Sequence, residues 1–487
     1  MSKTYSILYR LGITGILVLV LVLSPGCEKF LKQDPEDSLT EQEFFRSEED
    51  ANAAIVSVYD QLQDCVEKFL VWGEARADLV SPITRKNDYT WPYELTYPND
   101  LWALRWGDVY QVIGSANTVI AKVPAITQLD SRLTQQESDI IVGEAHFLRA
   151  LAYFYLVRTF GDVPLVLEPP LHDGVNFKVP KSGAAEILAK IESDLQLAEQ
   201  NVPHQYETAL KTRGRATQGA VHALQADVYL WQAKYREAAM AAKKVIDNKA
   251  LYALVPGANW FDIFSLKNST EGVFEVQFDN LLRETNGLGG VSERFIVNPN
   301  HLKLYEDANA PDEVRGLEAS YNSNTNGRTY WKYVGLSTMD LRRGGDDPNF
   351  IIYRLADVLL MRAEALSHLE DADKAEAVEL VNAVRARANL PIYDINLIST
   401  DTNSLVDIIL KERSLELAME GKRWYDLVRI GLNGRPEVLI DKIVASRLVS
   451  ERALVKARVA DARSWFLPIH NNELAANPNL TQNPFYK

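Results

Sequence analysis

The sequence predicts a mostly α-helical protein with very little β-strand, and three observations carry this prediction. Apolar residues recur at helical spacing over many separate segments of the 487-residue chain. Ser or Thr followed three residues later by Asp or Glu, a helix-start signal, precedes two of these segments. Alternation of apolar and polar residues, which indicates a half-buried strand, is clear only over Gly272–Phe278.

The helix starts can be placed on individual residues. Ser47 with Asp50 and Thr134 with Glu137 each form a predicted capping box, and Ser182 is predicted to open a third helix. Further helices are predicted over Ala216–Lys234, Tyr235–Asn248, Phe350–Leu369, Ala372–Ala388 and Ser404–Gly421.

Two helix pairs in this set look alike. The segments Ala226–Leu230 and Ala356–Leu360 have related sequences, and each leads through a short break into a second, Ala-rich helix. Small alanine side chains let paired helices approach closely, and such hairpins bury their apolar faces by stacking on their neighbours. The pairs resemble tetratricopeptide-type hairpins, although the chain has no strict repeat of about 34 residues.

The N-terminus carries an export signal. Lys3 and Arg10 form a positive region ahead of a 13-residue apolar run, Leu11–Leu23, which is shorter than the roughly 20 residues that span a bilayer. Small residues and Cys27 follow, so residues 1–26 are predicted to be a signal peptide. The junction resembles a bacterial lipobox, whose cysteine is acylated with palmitate-type chains, although Ser24 stands where Leu is usual. The alternative is an ordinary cleaved signal with Cys27 incidental.

The remainder is divided into a lipid-anchored tether, residues 27–46, and a helical domain, residues 47–487. If Cys27 is acylated, Cys65 is the one thiol left, and its apolar helical setting predicts a buried free cysteine. Two long segments of the domain lack any periodicity, residues 81–100 and 279–347. Long irregular segments in a folded chain are usually functional loops, and the aromatic residues in both argue against disorder.

Charge and motif content exclude several functions. A formal net charge of −14 makes nucleic acid an unlikely partner, because phosphate binding needs a clustered basic surface. The seven histidines stand singly, and no HExxH, GxSxG or phosphate-binding glycine loop is present, so we expect no metal, no cofactor and no catalytic residue. The acidic turn Gly344–Asn349 has oxygen ligands for calcium but not their usual spacing, and we interpret it as a solvated turn.

One charged constellation stands near the C-terminus. Its members recur three or four residues apart across a possible helix break at Gly421: Arg413, Glu416, Glu420, Arg423, Asp426 and Arg429. No nucleophile or metal motif accompanies them, so we interpret them as an ion-pair ladder along one helical face rather than an acid–base site. In this ladder Arg423 is predicted to pair with Glu420 and Asp426.

Six segments carry distinctive motifs, in order along the chain: Cys27–Ala51, Trp106–Asn117, Glu144–Leu165, Tyr353–Ala365, Arg413–Arg429 and Leu467–Pro484. Together they resemble the SusD/RagB family of nutrient-binding outer-membrane lipoproteins. The resemblance implies a SusD-like scaffold of tetratricopeptide-like hairpins with a ligand face formed by loops. It also implies a surface-exposed lipoprotein of the outer membrane that caps a SusC-like TonB-dependent transporter and binds oligosaccharide or, in some members, peptide.

Three classes of function therefore remain open. The first is a glycan-binding module, the second a structural lid with little ligand affinity of its own, and the third a helical glycosidase or lyase. The missing catalytic motifs and the resemblance favour a binding protein that is not an enzyme.

The ligand site is predicted where the two irregular segments meet. Sugar rings need an exposed aromatic plate and hydrogen-bonding side chains around it. Trp106 and Trp424 lie in helical scaffold motifs, and Trp260 precedes the run Phe261–Phe264, so all three are expected in the core. The candidate ligand-binding residues are therefore Tyr89, Trp91 and Tyr93 in the first segment and Arg283, Asn286 and Arg294 in the second. Trp91 or Tyr93 is expected to stack on ligand, unless Trp91 only pins its loop to the body.

Overall fold

α-Helices make up most of the chain, which confirms the predicted fold class. The computed structural model describes residues 45–487 except 86, 171–173, 325–326, 337–340 and 345. The predicted signal peptide, Cys27 and the tether up to residue 44 lie outside the described residues. Residues Arg46–Lys487 form one compact unit.

The N-terminal helices begin as their caps predict. They are α1 (Glu48–Gln63), α2 (Val66–Leu70), α3 (Gly107–Ile126), α4 (Gln135–Phe160) and α5 (Ala184–Asn201), with a single π-helical turn at Val71–Ala75. Both predicted capping boxes, at Ser47 and Thr134, are present. The third start is wrong by one residue, since Gly183 caps α5 and Ser182 instead pairs with Val163 in a two-stranded ribbon. Helix α4 is apolar and long enough to cross a membrane, but 89% of its apolar window is buried inside the protein.

The two predicted hairpins form and pack on each other. Their helices are α7 (Gln218–Trp231) with α8 (Tyr235–Ile246), and α12 (Leu355–Ser367) with α13 (Asp371–Arg387), the short α6 (Ala209–Gly214) preceding the first pair. Helix α8 lies against α12, and the Tyr235 ring stacks on His368 with their centroids 3.9 Å apart. The tetratricopeptide-like arrangement is thus a property of the fold.

The remaining helices are short and follow in the C-terminal half. They are α9 (Asp262–Ser265), α10 (Leu288–Ser292), α11 (Pro299–Tyr305), α14 (Thr402–Glu416), α15 (Arg423–Leu432), α16 (Pro436–Ala445), α17 (Arg452–Val459) and α18 (Asn471–Ala476). Helix α14 ends five residues before the predicted boundary, because Met419 and Gly421 adopt positive φ values of 66° and 74°.

Strands are few and tie distant segments together. They are β1 (Val80–Pro82), β2 (Val163–Pro164), β3 (Lys181–Ser182), β4 (Gly272–Val276), β5 (Phe295–Val297), β6 (Tyr321–Asn324), β7 (Gly327–Tyr330) and β8 (Phe350–Arg354). The predicted strand β4 is confirmed, but its antiparallel partner β8 was predicted as helix. All five residues of β8 are buried, and a fully buried short strand has no alternation to distinguish it from a helix.

The charged constellation is structural, as interpreted, but its pairings differ from the predicted ladder. Glu416 and Glu420 belong to a buried network of five cations and five carboxylates, which are Arg315, Lys332, Arg354, Arg385 and Arg387 with Glu271, Asp312, Glu412, Glu416 and Glu420. Equal numbers of opposite charges let the network be buried without leaving a net charge in a low-dielectric interior. Asp426 joins Arg413 to Arg429, and Arg423 reaches neither of its predicted partners but pairs with Asp78.

Candidate functional site

A four-stranded sheet brings the two irregular segments together. Its order is β1-β5-β7-β6, so the strand that opens the first segment pairs directly with a strand inside the second. The pairing continues past the strands, where the amide of Ile83 donates to the Arg294 carbonyl at 3.0 Å. The second segment is therefore less irregular than predicted, since it contains three strands and two short helices. The local alternation was hidden because these strands are only three or four residues long.

An aromatic surface forms where the two segments meet. The Arg294 guanidinium lies 4.2 Å above the centroid of the Tyr89 ring, a cation–π distance. The same ring contacts Trp102 with centroids 5.3 Å apart and planes inclined by 58°. Tyr89 and Trp102 are half-buried and Arg294 is exposed, so a flat partner can reach the edge of this group. We call Tyr89, Trp102 and Arg294 the Tyr89 surface.

The carboxylate of Glu67 lies close enough to this surface to act electrostatically on the Tyr89 hydroxyl. Burial, reinforced by the nearby Glu67 carboxylate, raises the pKa of the Tyr89 hydroxyl, which therefore remains a neutral donor and acceptor at physiological pH. Glu67 also packs on the backbone of Gly287, where an added Cβ would come within 2.2 Å of its Oε1 atom. The surface thus offers one cation, one carboxylate and a neutral hydroxyl, which together suit a ligand rich in hydroxyl groups.

Trp91 lies on the same loop and is half-buried. Its backbone is fixed by hydrogen bonds, since its amide donates to the Asn87 carbonyl at 3.1 Å and its carbonyl accepts from Thr96 at 3.3 Å. Its indole N–H makes no hydrogen bond within the described part of the chain. Trp91 stays a candidate for stacking on ligand.

Tyr93 does not fit the role predicted for it. Its side chain is only 2% exposed, its hydroxyl donates to the Ser446 carbonyl at 3.2 Å, and Arg447 covers its ring at 3.7 Å. Because the side chain is buried on all sides, the ring has no free face for a sugar. Tyr93 instead anchors the loop to the segment after α16.

The three polar candidate residues, Arg283, Asn286 and Arg294, lie in different surroundings. Arg294 joins the Tyr89 surface, whereas both polar atoms of the Asn286 carboxamide are used within the protein: Nδ2 donates to the Pro348 carbonyl at 2.8 Å and Oδ1 accepts from the Leu288 amide at 3.0 Å. Asn286 therefore helps to hold its own loop. Arg283 is exposed in a left-handed turn with φ of 65°, beside the exposed Leu281 and Leu282, and no described contact connects it to Tyr89.

Sequence reasoning missed Trp102, which follows the predicted loop by two residues. Its indole Nε1 is buried and has no hydrogen-bond partner among the described residues. The preceding Pro98-Asn99-Asp100 turn was the available signal, since it separates Trp102 from the rest of the loop.

The acidic turn and Cys65, which the sequence raises as possible reactive groups, have structural roles. Within the described residues no group of three or more His, Cys, Asp or Glu side chains is placed to hold a metal ion. Asp347, in the acidic turn, pairs with Lys267 and Arg343. Cys65 is buried, and burial raises the pKa of its thiol, as expected for an unreactive structural cysteine.

Comparisons with known proteins identify the scaffold that carries this surface. One family profile, described as the SusD family, matches residues 298–486, and a second, described as starch-binding associating with outer membrane, matches residues 29–230. Two separate parts of the chain are thus similar to SusD family proteins. Two SusD-like proteins are similar to it over most of their lengths: one from Formosa agariphila is 27% identical over 98% of this chain and 99% of that protein, and one from Bacteroides ovatus is 26% identical over 85% and 81%.

Solved structures of the SusD family show the same fold. A SusD superfamily protein from Bacteroides thetaiotaomicron superposes with a TM-score of 0.75 at 24% identity, covering 91% of this chain and 99% of that one. A laminarin-binding SusD-like protein superposes with a TM-score of 0.70 at 26% identity, covering 90% of this chain and 100% of that one. The resemblance inferred from the motifs is therefore confirmed along the mature chain.

Proposed function

We propose that this SusD-like protein captures a neutral oligosaccharide on the outer membrane and delivers it to a SusC-like TonB-dependent transporter, which it caps. The observation that carries the proposal is the Tyr89 surface, where Arg294 fixes one face of an aromatic ring and Trp102 supports its edge. Aromatic side chains with only two torsions to fix provide contact area for sugar rings at low entropic cost. The protein acts as a binding protein and not as an enzyme.

The class of ligand is supported by the comparisons. A structural neighbour is a laminarin-binding protein, and the profile that matches the N-terminal half is described as starch-binding. Both ligands are neutral glucans, and a neutral ligand suits a protein whose formal net charge is −14, because polyanions would be repelled. Laminarin and starch oligosaccharides are therefore the first ligands to test.

The location is proposed from the N-terminus. Acylation of Cys27 would attach the protein to the outer membrane with its ligand face exposed at the cell surface, and residues 28–46 would serve as the tether. The description of the N-terminal profile, associating with outer membrane, supports this placement.

Two experiments test the proposal. Isothermal titration of the purified protein with laminarihexaose, maltohexaose and a neutral peptide library should show saccharide binding and none to peptide. Affinity purification of the protein from native membranes should recover a TonB-dependent barrel. Recovery of the barrel without any saccharide binding would favour the structural-lid function, and binding to peptide alone would assign the protein to peptide uptake.

A further inference from the structure

A cavity of about 670 Å³ lies outside the Tyr89 surface. It is bordered by the N-terminal half of α3, by residues 164–170 and 177–178, and by α18 near the C-terminus. This volume falls within the range of about 300–1,000 Å³ that is usual for small-molecule sites. The proposed uptake function makes no use of it.

The floor of the cavity is aromatic and rigid. Trp106 is 3% exposed and contacts Tyr110 edge-on, with centroids 5.7 Å apart. The Tyr110 hydroxyl donates to the Pro164 carbonyl at 2.7 Å, which ties α3 to the opposite wall. A floor whose side chains are already fixed loses little entropy when a ligand binds.

An exposed phenylalanine stands at the mouth of the cavity. Phe177 is 58% exposed, and it is the one aromatic side chain of the described residues that is classed as exposed. Leaving a large apolar ring in water sacrifices the free energy that burial would provide. Its position on the lining places this ring where it can cover a bound molecule.

The polar side chains that line the cavity determine the chemical class of ligand that fits it. Gln61, Glu168, Lys178 and Glu473 contribute hydrogen-bonding groups around the apolar floor. The Gln61 Oε1 atom is buried and has no hydrogen-bond partner within the described chain, so it is an acceptor that a ligand hydroxyl would satisfy. Two carboxylates against one ammonium disfavour an anionic ligand. A neutral molecule with flat C–H faces and several hydroxyl groups meets all of these requirements.

We propose that this cavity is a second saccharide-binding site, separate from the Tyr89 surface. The two sites flank one segment of chain, because Trp102 contacts Tyr89 and Trp106, four residues later, forms part of the cavity. Helix α18 is tied to the same loop, since the Asn471 amide donates to the Asn99 carbonyl at 3.0 Å. This inference rests on the proposed carbohydrate specificity and gives the protein a second binding site.

Two variants that change the cavity in different ways test whether it binds saccharide. Phe177→Ala removes the exposed ring, and Gly114→Met fills the space, because a Cβ at Gly114 already meets Pro170 Cγ at 3.4 Å. Neither change should unfold the protein, since Phe177 is exposed and methionine is a better helix former than glycine. Leu129→Ala removes an apolar side chain that is 66% exposed just after the far end of α3, and serves as the matched control.

Isothermal titration with laminarihexaose and maltohexaose should resolve two classes of site in the wild-type protein. Phe177→Ala and Gly114→Met should each weaken one class at least tenfold, whereas Leu129→Ala should leave both unchanged and Tyr89→Ala should weaken only the other class. Isotherms for both cavity variants that match the wild type, while Tyr89→Ala abolishes binding, would overturn this inference alone. Absence of any saccharide binding to the wild type would overturn both this inference and the proposed function.

Discussion

Arg423 and Asp78 are 345 residues apart in the sequence and form a bidentate ion pair in the structure. Arg423 Nε lies 2.7 Å from Asp78 Oδ1, and its terminal nitrogen lies 2.8 Å from Oδ2. Burial alone would raise the pKa of Asp78, but the Arg423 guanidinium outweighs it and lowers that pKa to about 2. The pair joins α15 to the turn that leads into β1, and so it holds the base of the candidate ligand loop.

Arg423→Ala should destabilise the protein without abolishing saccharide binding. The variant leaves Asp78 largely buried without its cation, and breaking a buried pair in this way costs about 3–5 kcal/mol. Urea denaturation measures the cost, and the double variant Arg423→Ala/Asp78→Ala should recover part of it. A folded Arg423→Ala protein with normal stability and no saccharide binding would instead place Arg423 in the ligand site.

The difference between the predicted and observed partners of Arg423 shows what the sequence can and cannot specify. Periodicity and caps placed most of the helices, because these signals are local and begin at residues such as Ser47 and Thr134. Partners across hundreds of residues, such as Asp78 for Arg423, have no local signature. Trp106, Trp260 and Trp424 were placed correctly in the core, whereas Tyr93 is buried by contacts with Ser446 and Arg447, which are far from it in the sequence.

Glu74 should make stability depend on pH in a direction opposite to that of most carboxylates. Burial raises the pKa of Glu74 to about 8; its Oε1 atom accepts from the amides of Gly421 and Lys422, while Oε2 has no partner among the described residues. Because the folded-state pKa lies above the unfolded value of about 4.3, this group's contribution is complete below pH 4 and is lost as pH rises through 8.

Glu74→Gln keeps a side-chain oxygen that can accept the hydrogen bonds from Gly421 and Lys422, but it removes the ionisable carboxyl group. The melting temperatures of variant and wild type should therefore lie close together near pH 5, and the variant should become relatively more stable by pH 9. Differential scanning calorimetry at both pH values measures the difference. A constant gap between the two proteins across this range would show that Glu74 is ionised throughout.

Tyr93→Phe should affect stability and leave affinity unchanged. The substitution removes one hydroxyl that donates to the Ser446 carbonyl, a bond whose loss costs about 1 kcal/mol, and retains the ring beneath Arg447. Thermal denaturation and saccharide titration of the same sample check both parts. Weaker saccharide binding with unchanged stability would return Tyr93 to the ligand site.

Cys27→Ala should release the protein from the outer membrane. Each buried methylene of an acyl chain contributes about 0.8 kcal/mol, so a cysteine with two or more chains anchors firmly and its loss leaves no comparable attachment. Membrane fractionation after a high-salt wash measures the release. A variant that still sediments with the membranes would rule out acylation at Cys27 as the anchor.

Saccharide titration of Tyr89→Ala and Arg294→Ala tests whether the Tyr89 surface binds the ligand. Removing a central aromatic contact typically costs about 1–3 kcal/mol of binding free energy, so each variant should bind the confirmed oligosaccharide at this surface at least fivefold more weakly with little change in melting temperature. Tyr229→Ala and Arg236→Ala, on α7 and α8, are the matched controls and should bind like the wild type. Unchanged affinity of a folded Tyr89→Ala/Arg294→Ala double variant would show that the Tyr89 surface is not the ligand site.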